Sequence, residues 1–143
     1  MVEIYRECRS REVSVEMLGS LEQGWNAVFE LLKGIGVGEI AALAGLEITL
    51  LDDDEMARLH GEFLKDPTPT DVITFAHGEL LIGVEVAARQ AEAFESLTDR
   101  EIALYGIHGM LHLAGYDDRS SEDAKEMAQR QEEILRECFP LWM

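Results

Sequence analysis

Residues 98–118, TDREIALYGIHGMLHLAGYDD, constrain the fold more than any other stretch of the chain. Thr98 and Glu101 have the capping-box spacing, a hydroxyl at the cap and a glutamate three residues on, which predicts a helix start. The apolar run that follows continues to Gly115, a residue suited to the left-handed turn that closes a helix. Gly106 and Gly109 lie inside this predicted helix, where each costs about 1 kcal/mol relative to alanine. Glycines kept at that cost predict close approach of other backbone or side chains, and hence a central, tightly packed helix.

The same helix carries His108 and His112, half of the four histidines in the chain. Residues four apart on a helix are separated by about 40° around the axis and about 6 Å along it. Both imidazoles therefore converge on one point, and the break at Gly115 lets Asp118 return to it. The pattern H-x-x-x-H-x-x-G-x-x-D offers two imidazoles and one carboxylate with a fourth position open, the arrangement of catalytic rather than structural zinc. Nickel or another transition ion binds similar ligands. The spacing also matches metzincin zinc sites, with aspartate in place of the third histidine. Asp117 is one residue off that register and is predicted to accept a hydrogen bond in support of a ligand rather than to bind metal itself. A zinc peptidase of this spacing carries a glutamate base directly after the first histidine. Gly109 occupies that position, so peptidase chemistry is disfavoured.

The remaining sequence predicts short elements around this helix. Val2 to Tyr5 reads as a strand and Val15 to Lys33 as an amphipathic helix, with Leu18, Leu21, Trp25, Val28, Phe29 and Leu32 at helical spacing. GIGVG, residues 34–38, is a turn, lacking the Lys-Ser/Thr of a phosphate loop. LEITLL, residues 46–51, is a strand. DEMARLHGEF, residues 54–63, is a helix capped by aspartate, which accounts for the acidic triplet Asp52, Asp53 and Asp54 without calcium. DVITF is a strand, and ELLIGV pairs back on it as a hairpin partner or edge strand. Residues 86–94 and a segment begun by Ser120 are helices.

Composition sets limits on function. In 143 residues, 47% are apolar and 29% charged, as in an ordinary soluble globular chain, and one domain over residues 1–143 is expected. No run approaches the roughly 20 apolar residues of a membrane helix, so no membrane partner is expected. Cys8 and Cys138 are expected as reduced thiols in a cytoplasmic protein. A net charge of −17 opposes any general electrostatic grip on nucleic acid. DNA is not an expected partner, and a polyanionic substrate has to be met by a metal, a local basic patch or a partner. Arg6, Arg9 and Arg11 form the basic cluster of the N-terminal segment. His60 and His77 lie outside the metal register and are predicted to be exposed.

HGMLHLAGYDD resembles the hallmark HGxLHLxGYDH of the YbeY-type endoribonucleases, the ribosomal RNA maturation factors. Upstream, Pro69 to Phe75 (PTDVITF) is similar to that family's PTDVLSF segment. Gly78-Glu79-Leu80 echoes its LGDI strand, and Arg89-Gln90-Ala91 its Arg-Gln-Ala helix element. Downstream, Gln131, Ile134 and Leu135 match its Gln-x-x-Ile-Leu helix, so the resemblance spans about Leu46 to Leu135. It implies an α+β fold, a small mixed β-sheet packed with helices around a zincin-like central metal-binding helix. It also implies a zinc-type ion on His108, His112 and Asp118. The implied activity is single-strand endoribonuclease action in ribosomal RNA processing, with ribosomal RNA and the maturing small ribosomal subunit as partners.

Two positions differ from the family pattern. Asp118 replaces a histidine, making the site less positive by one charge. Leu64 replaces an arginine thought to contact RNA phosphate, and the neighbouring Lys65 offers only a point charge instead. Arg89, Thr70 and Asp71 are further candidates to face the cleft. The alternatives are a ribosome-assembly binding protein that retains a structural metal and, with less support, a zinc metallopeptidase.

Overall fold

A computed structural model describes residues 1–9 and 13–139. Four strands, β1 (Val2–Arg6), β2 (Leu46–Leu51), β3 (Val72–Phe75) and β4 (Glu79–Gly83), form one sheet in the order β1-β2-β4-β3. β1, β2 and β4 run parallel, and β3 lies antiparallel to β4 on the edge. Helices α1 (Val15–Ile35), α2 (Asp53–Leu64), α3 (Val84–Ala93), α4 (Thr98–Leu113) and α5 (Ser121–Cys138) surround this mixed sheet. The fold is α+β, as the resemblance implied. A single 3-10 turn, Glu39–Ala42, follows GIGVG and was not foreseen.

Strand alternation divides the apolar residues between the two faces of the sheet. Ile48, Leu50, Leu80 and Ile82 face the main core with α1, α3, α4 and α5, whereas Leu51, Leu81 and Ile73 join Met56 of α2 in a smaller cluster. β4 is thus buried on both faces and interior to the sheet, not an edge strand. It is the hairpin partner of β3 and also a parallel neighbour of β2. A run such as LLIG, without polar alternation, suits that double burial.

α1 fixes α4 in place. Ser14 caps α1 by accepting from the Met17 N–H at 3.1 Å. Fully buried Trp25 donates its indole N–H to the Ala103 carbonyl of α4 at 3.1 Å. Gly106, one turn on from Ala103, lies against that indole: a Cβ there would stand 2.2 Å from Trp25 Nε1. A Cβ on Gly109 would meet the Leu80 methyls at 2.8 and 2.9 Å and Thr74 Oγ1 at 3.1 Å. Both glycines of α4 therefore serve close approach, one to α1 and one to the sheet.

Two capping expectations are corrected. The Thr98 capping box does not form, because α4 begins one residue earlier, with Leu97 as its cap residue and Thr98 already helical. Glu101 accepts instead from the Ser96 hydroxyl at 3.3 Å. Asp52 occupies the cap position of α2, but its carboxylate accepts from the Arg9 backbone N–H at 2.7 Å. The Asp53 N–H of α2 is taken by Glu85 of α3 at 2.8 Å. In both places a partner outside the helix took a side chain that the local pattern assigned to the cap. Ser120 caps α5 as expected, accepting from the Asp123 N–H at 3.0 Å. Cys8 and Cys138 are free thiols. Among the described residues no helix is long and apolar enough to cross a membrane.

Candidate metal centre

His108 and His112 project from the same face of α4, half-buried, with their Nε2 atoms 3.0 Å apart. Gly115, at φ +96°, turns the chain after α4, a conformation that side-chain-bearing residues rarely adopt. The segment beyond it brings Asp118 Oδ2 to 3.9 Å from His108 Nε2. The three side chains offer ligand atoms that all lie within 4.8 Å of one another.

The outer nitrogens decide what these imidazoles can do. His112 Nδ1 lies 3.1 Å from the Tyr116 carbonyl oxygen, which can only accept, so this nitrogen carries the proton. His108 Nδ1 lies 2.5 Å from Gln131 Oε1 on α5 and donates likewise. With Nδ1 turned to an oxygen, each ring leaves its Nε2 facing the other at 3.0 Å, placed to offer a lone pair to a shared cation. Ligands bound to one tetrahedral zinc at 2.0–2.1 Å stand about 3.3 Å from each other. The spacings of 3.0 and 3.9 Å bracket that value and the third lies within 4.8 Å, so a small closing movement of exposed Asp118 lets the residues fit such an ion.

The histidines open onto a cleft of about 420 Å³ that β3 and the end of α2 also line. Asp71, Thr74, Phe75, Phe63 and Leu64 line it. Of the candidates read from sequence, Asp71 and the divergent Leu64 thus stand in the cleft. Thr70 borders an adjoining hollow with Asp71, beside Tyr105 and Gln90. Burial pushes the Tyr105 phenol well above its ordinary pKa, so it stays protonated there.

The structure does not bring the other candidates to the cleft wall. Lys65 is exposed in the left-handed residue that ends α2. Arg89 makes two hydrogen bonds to the Asp53 carboxylate, at 2.6 and 3.1 Å, which hold its guanidinium above its ordinary pKa. Asp117 accepts from the Arg119 N–H at 3.2 Å and does not join the histidines. His60 is half-buried rather than exposed, its Nδ1 donating to the Thr68 carbonyl at 2.8 Å, while His77 is exposed as predicted. Arg11 lies outside the described residues.

Gln131 is the residue whose role sequence reasoning missed. It was legible only as part of a family pattern, because nothing local says that α5 packs over His108. Its replacement by alanine is expected to leave the fold intact and weaken zinc binding about 10- to 100-fold, the usual cost of losing a group that orients a ligand. Competition against a chromogenic chelator measures this, and unchanged affinity would remove Gln131 from the site.

A small α+β protein with a zincin-like central helix bearing a His-His-Asp group is the class that fold and site define. The family model described as "Endoribonuclease YbeY" matches residues 8–138. Proteins named "Endoribonuclease YbeY" from Bacillus thuringiensis (strain Al Hakam) and Bacillus cereus (strain AH187) are each 34% identical, over 84% of this chain and 89% of theirs. A solution structure of a Thermotoga maritima protein superposes with a TM-score of 0.65 at 26% identity, covering 96% of this chain and 91% of that one. The chain belongs to the endoribonuclease YbeY family.

Proposed function

We propose that residues 1–143 act as one metal-dependent hydrolase domain, a single-strand-specific endoribonuclease of the cytoplasm. Its proposed role is ribosomal RNA processing and maturation of the small ribosomal subunit. Family membership supports endonucleolytic action on RNA. The metal requirement rests on one observation: His108, His112 and Asp118 bring ligand atoms within 4.8 Å of one another, with each Nδ1 turned to an oxygen of Gln131 or Tyr116 and the two Nε2 atoms 3.0 Å apart. His108, His112 and Asp118 would hold the ion, and zinc suits two imidazoles and a carboxylate, with nickel or another transition ion fitting similar ligands. When bound, the ion supplies Lewis acidity toward a phosphodiester oxygen and a place for an acidified water.

The chain's own groups do the rest. Gln131 and the Tyr116 carbonyl fix the orientation of the two rings, so little rearrangement is needed as ligands engage. Asp118 neutralises one metal charge that a third histidine would leave, and its exposure keeps solvent close. Leu80 and Thr74 fill the space where a peptidase would need a glutamate side chain after His108. Peptide hydrolysis by that route therefore lacks both the base and the room for it.

The test uses protein purified without an affinity tag or added metal. Elemental analysis is expected to find a transition ion at about one per chain, with cleavage of single-stranded RNA lost on chelation and restored by zinc, and a matching duplex resistant. Protein that never cleaves RNA yet binds the immature small subunit would establish the assembly-factor alternative instead.

A further inference from the structure

Beside the histidines the cleft lining is aromatic and apolar at Phe63, Leu64 and Phe75, with Asp71 and Thr74 as its other polar side chains, where an RNA site would ordinarily be basic. Phe63 and Leu64, the last residues of α2, are 53% and 58% exposed. The Phe63 ring meets Phe75 of β3 edge to face, with centroids 5.3 Å apart and planes at 76°. His77 stacks on Phe75 from beyond, at 5.4 Å and 24°. Phe63, Leu64 and Phe75 line the same cavity as His108 and His112.

No lysine or arginine lines that cavity among the described residues, and the chain carries a net charge of −17. Phosphate neutralisation therefore cannot hold a nucleotide on this wall. A nucleobase has an uncharged π-face that stacks on an aromatic ring, and stacking contributes binding without any cation. A T-shaped contact engages at most one face of either ring, so Phe75 orients Phe63 while leaving it a face for a ligand.

We propose that Phe63 is a stacking platform for an unpaired nucleobase of the RNA substrate, beside the metal centre that His108, His112 and Asp118 would form. This rests on the endoribonuclease reading and names what recognises the substrate there. Bases within a duplex have both faces covered by their neighbours, whereas an unpaired base can be splayed onto an aromatic side chain. Phe63 thereby favours single strands, and Leu64 extends the apolar floor towards the histidines in place of a cation.

The experiment titrates zinc-loaded protein into a short single-stranded RNA carrying 2-aminopurine, alongside steady-state cleavage of the same RNA. Wild type is expected to quench the fluorophore. Phe63→Ala and Phe63→Leu are expected to lose the quench and weaken binding by about 5- to 150-fold, the range set by loss of one base–aromatic stack. The weakening falls on KM more than on kcat, with zinc content and melting temperature unchanged. Phe63→Trp restores both quench and KM, which a merely apolar contact would not require. Cleavage by wild type without quenching, or a Phe63→Leu variant that binds and quenches like wild type, overturns the platform. Quenching that depends on Phe63 in a protein that cleaves no RNA leaves the platform standing and removes the endoribonuclease reading instead.

Discussion

Replacing His112 with alanine is expected to abolish stoichiometric metal binding and to reduce RNA cleavage by at least about a hundredfold, beyond the 10- to 100-fold expected for a group that only orients a ligand. His112 supplies one of two imidazole nitrogens 3.0 Å apart, and His108 and Asp118 alone would remain. The fold should survive. The side chain is half-buried, its hydrogen-bond partner is the Tyr116 carbonyl, and its Nε2 faces the neighbouring imidazole. Tyr116 also has a backbone anchor, its N–H donating to the Leu111 carbonyl at 3.0 Å. Losing the side-chain bond costs about 1 kcal/mol. Elemental analysis, RNA cleavage and a thermal melt on one preparation separate the effects. A variant that keeps one ion per chain and full cleavage would remove His112 from the centre.

Gly106→Ala acts on stability rather than chemistry, and its expected effect is the largest of any single methyl group in α4. The added Cβ would lie 2.2 Å from Trp25 Nε1 and 2.4 Å from Cε2, in a part of the core where Trp25 has no exposure. A rigid indole that also donates to Ala103 cannot swing aside without losing that bond. Overpacking of about 1–3 kcal/mol and a stranded donor of similar cost outweigh the roughly 1 kcal/mol that alanine gains in helix propensity. The net loss is about 1–5 kcal/mol, read by urea denaturation monitored through tryptophan fluorescence. Gly19 in α1 makes the matched control, since a Cβ there meets nothing within 4 Å. Alanine at that site should stabilise by about 0.5–1 kcal/mol. Equal effects at the two positions would mean that α1 and α4 are not packed as described.

Much of the architecture was legible because it rests on local periodicity. Trp25, Val28, Phe29 and Leu32 lie on the buried face of α1, as their spacing required. LEITLL and the hairpin-forming pair of strands fall where their apolar and β-branched content and the turn at His77–Gly78 put them. The two α4 glycines announced close contacts, and the contacts are there, although their partners, Trp25 and Leu80, could not be read from residues 98–115. Caps were read less well: at α2 the Asp52 carboxylate is taken by the Arg9 N–H and the Asp53 N–H by Glu85, both distant in sequence, while at α4 Glu101 accepts from the nearby Ser96 hydroxyl. Arg89 shows the same limit. It lies on the helix matched by resemblance, yet the nearest carboxylate in space, Asp53, engages it away from the cleft.

By itself the sequence determined the convergence of His108 and His112, since the α-helical repeat places residues four apart on one face whatever surrounds them, and it determined the turn at Gly115 that brings Asp118 within reach. Tertiary structure alone decided which nitrogen each imidazole offers and what the cleft presents to RNA. Gln131 comes to His108 from 23 residues away, and Phe63 and Leu64 arrive at the end of a different helix. Backbone geometry repeats within a few residues and can be read from spacing. Contacts between elements depend on how whole faces pack, which spacing along the chain does not encode.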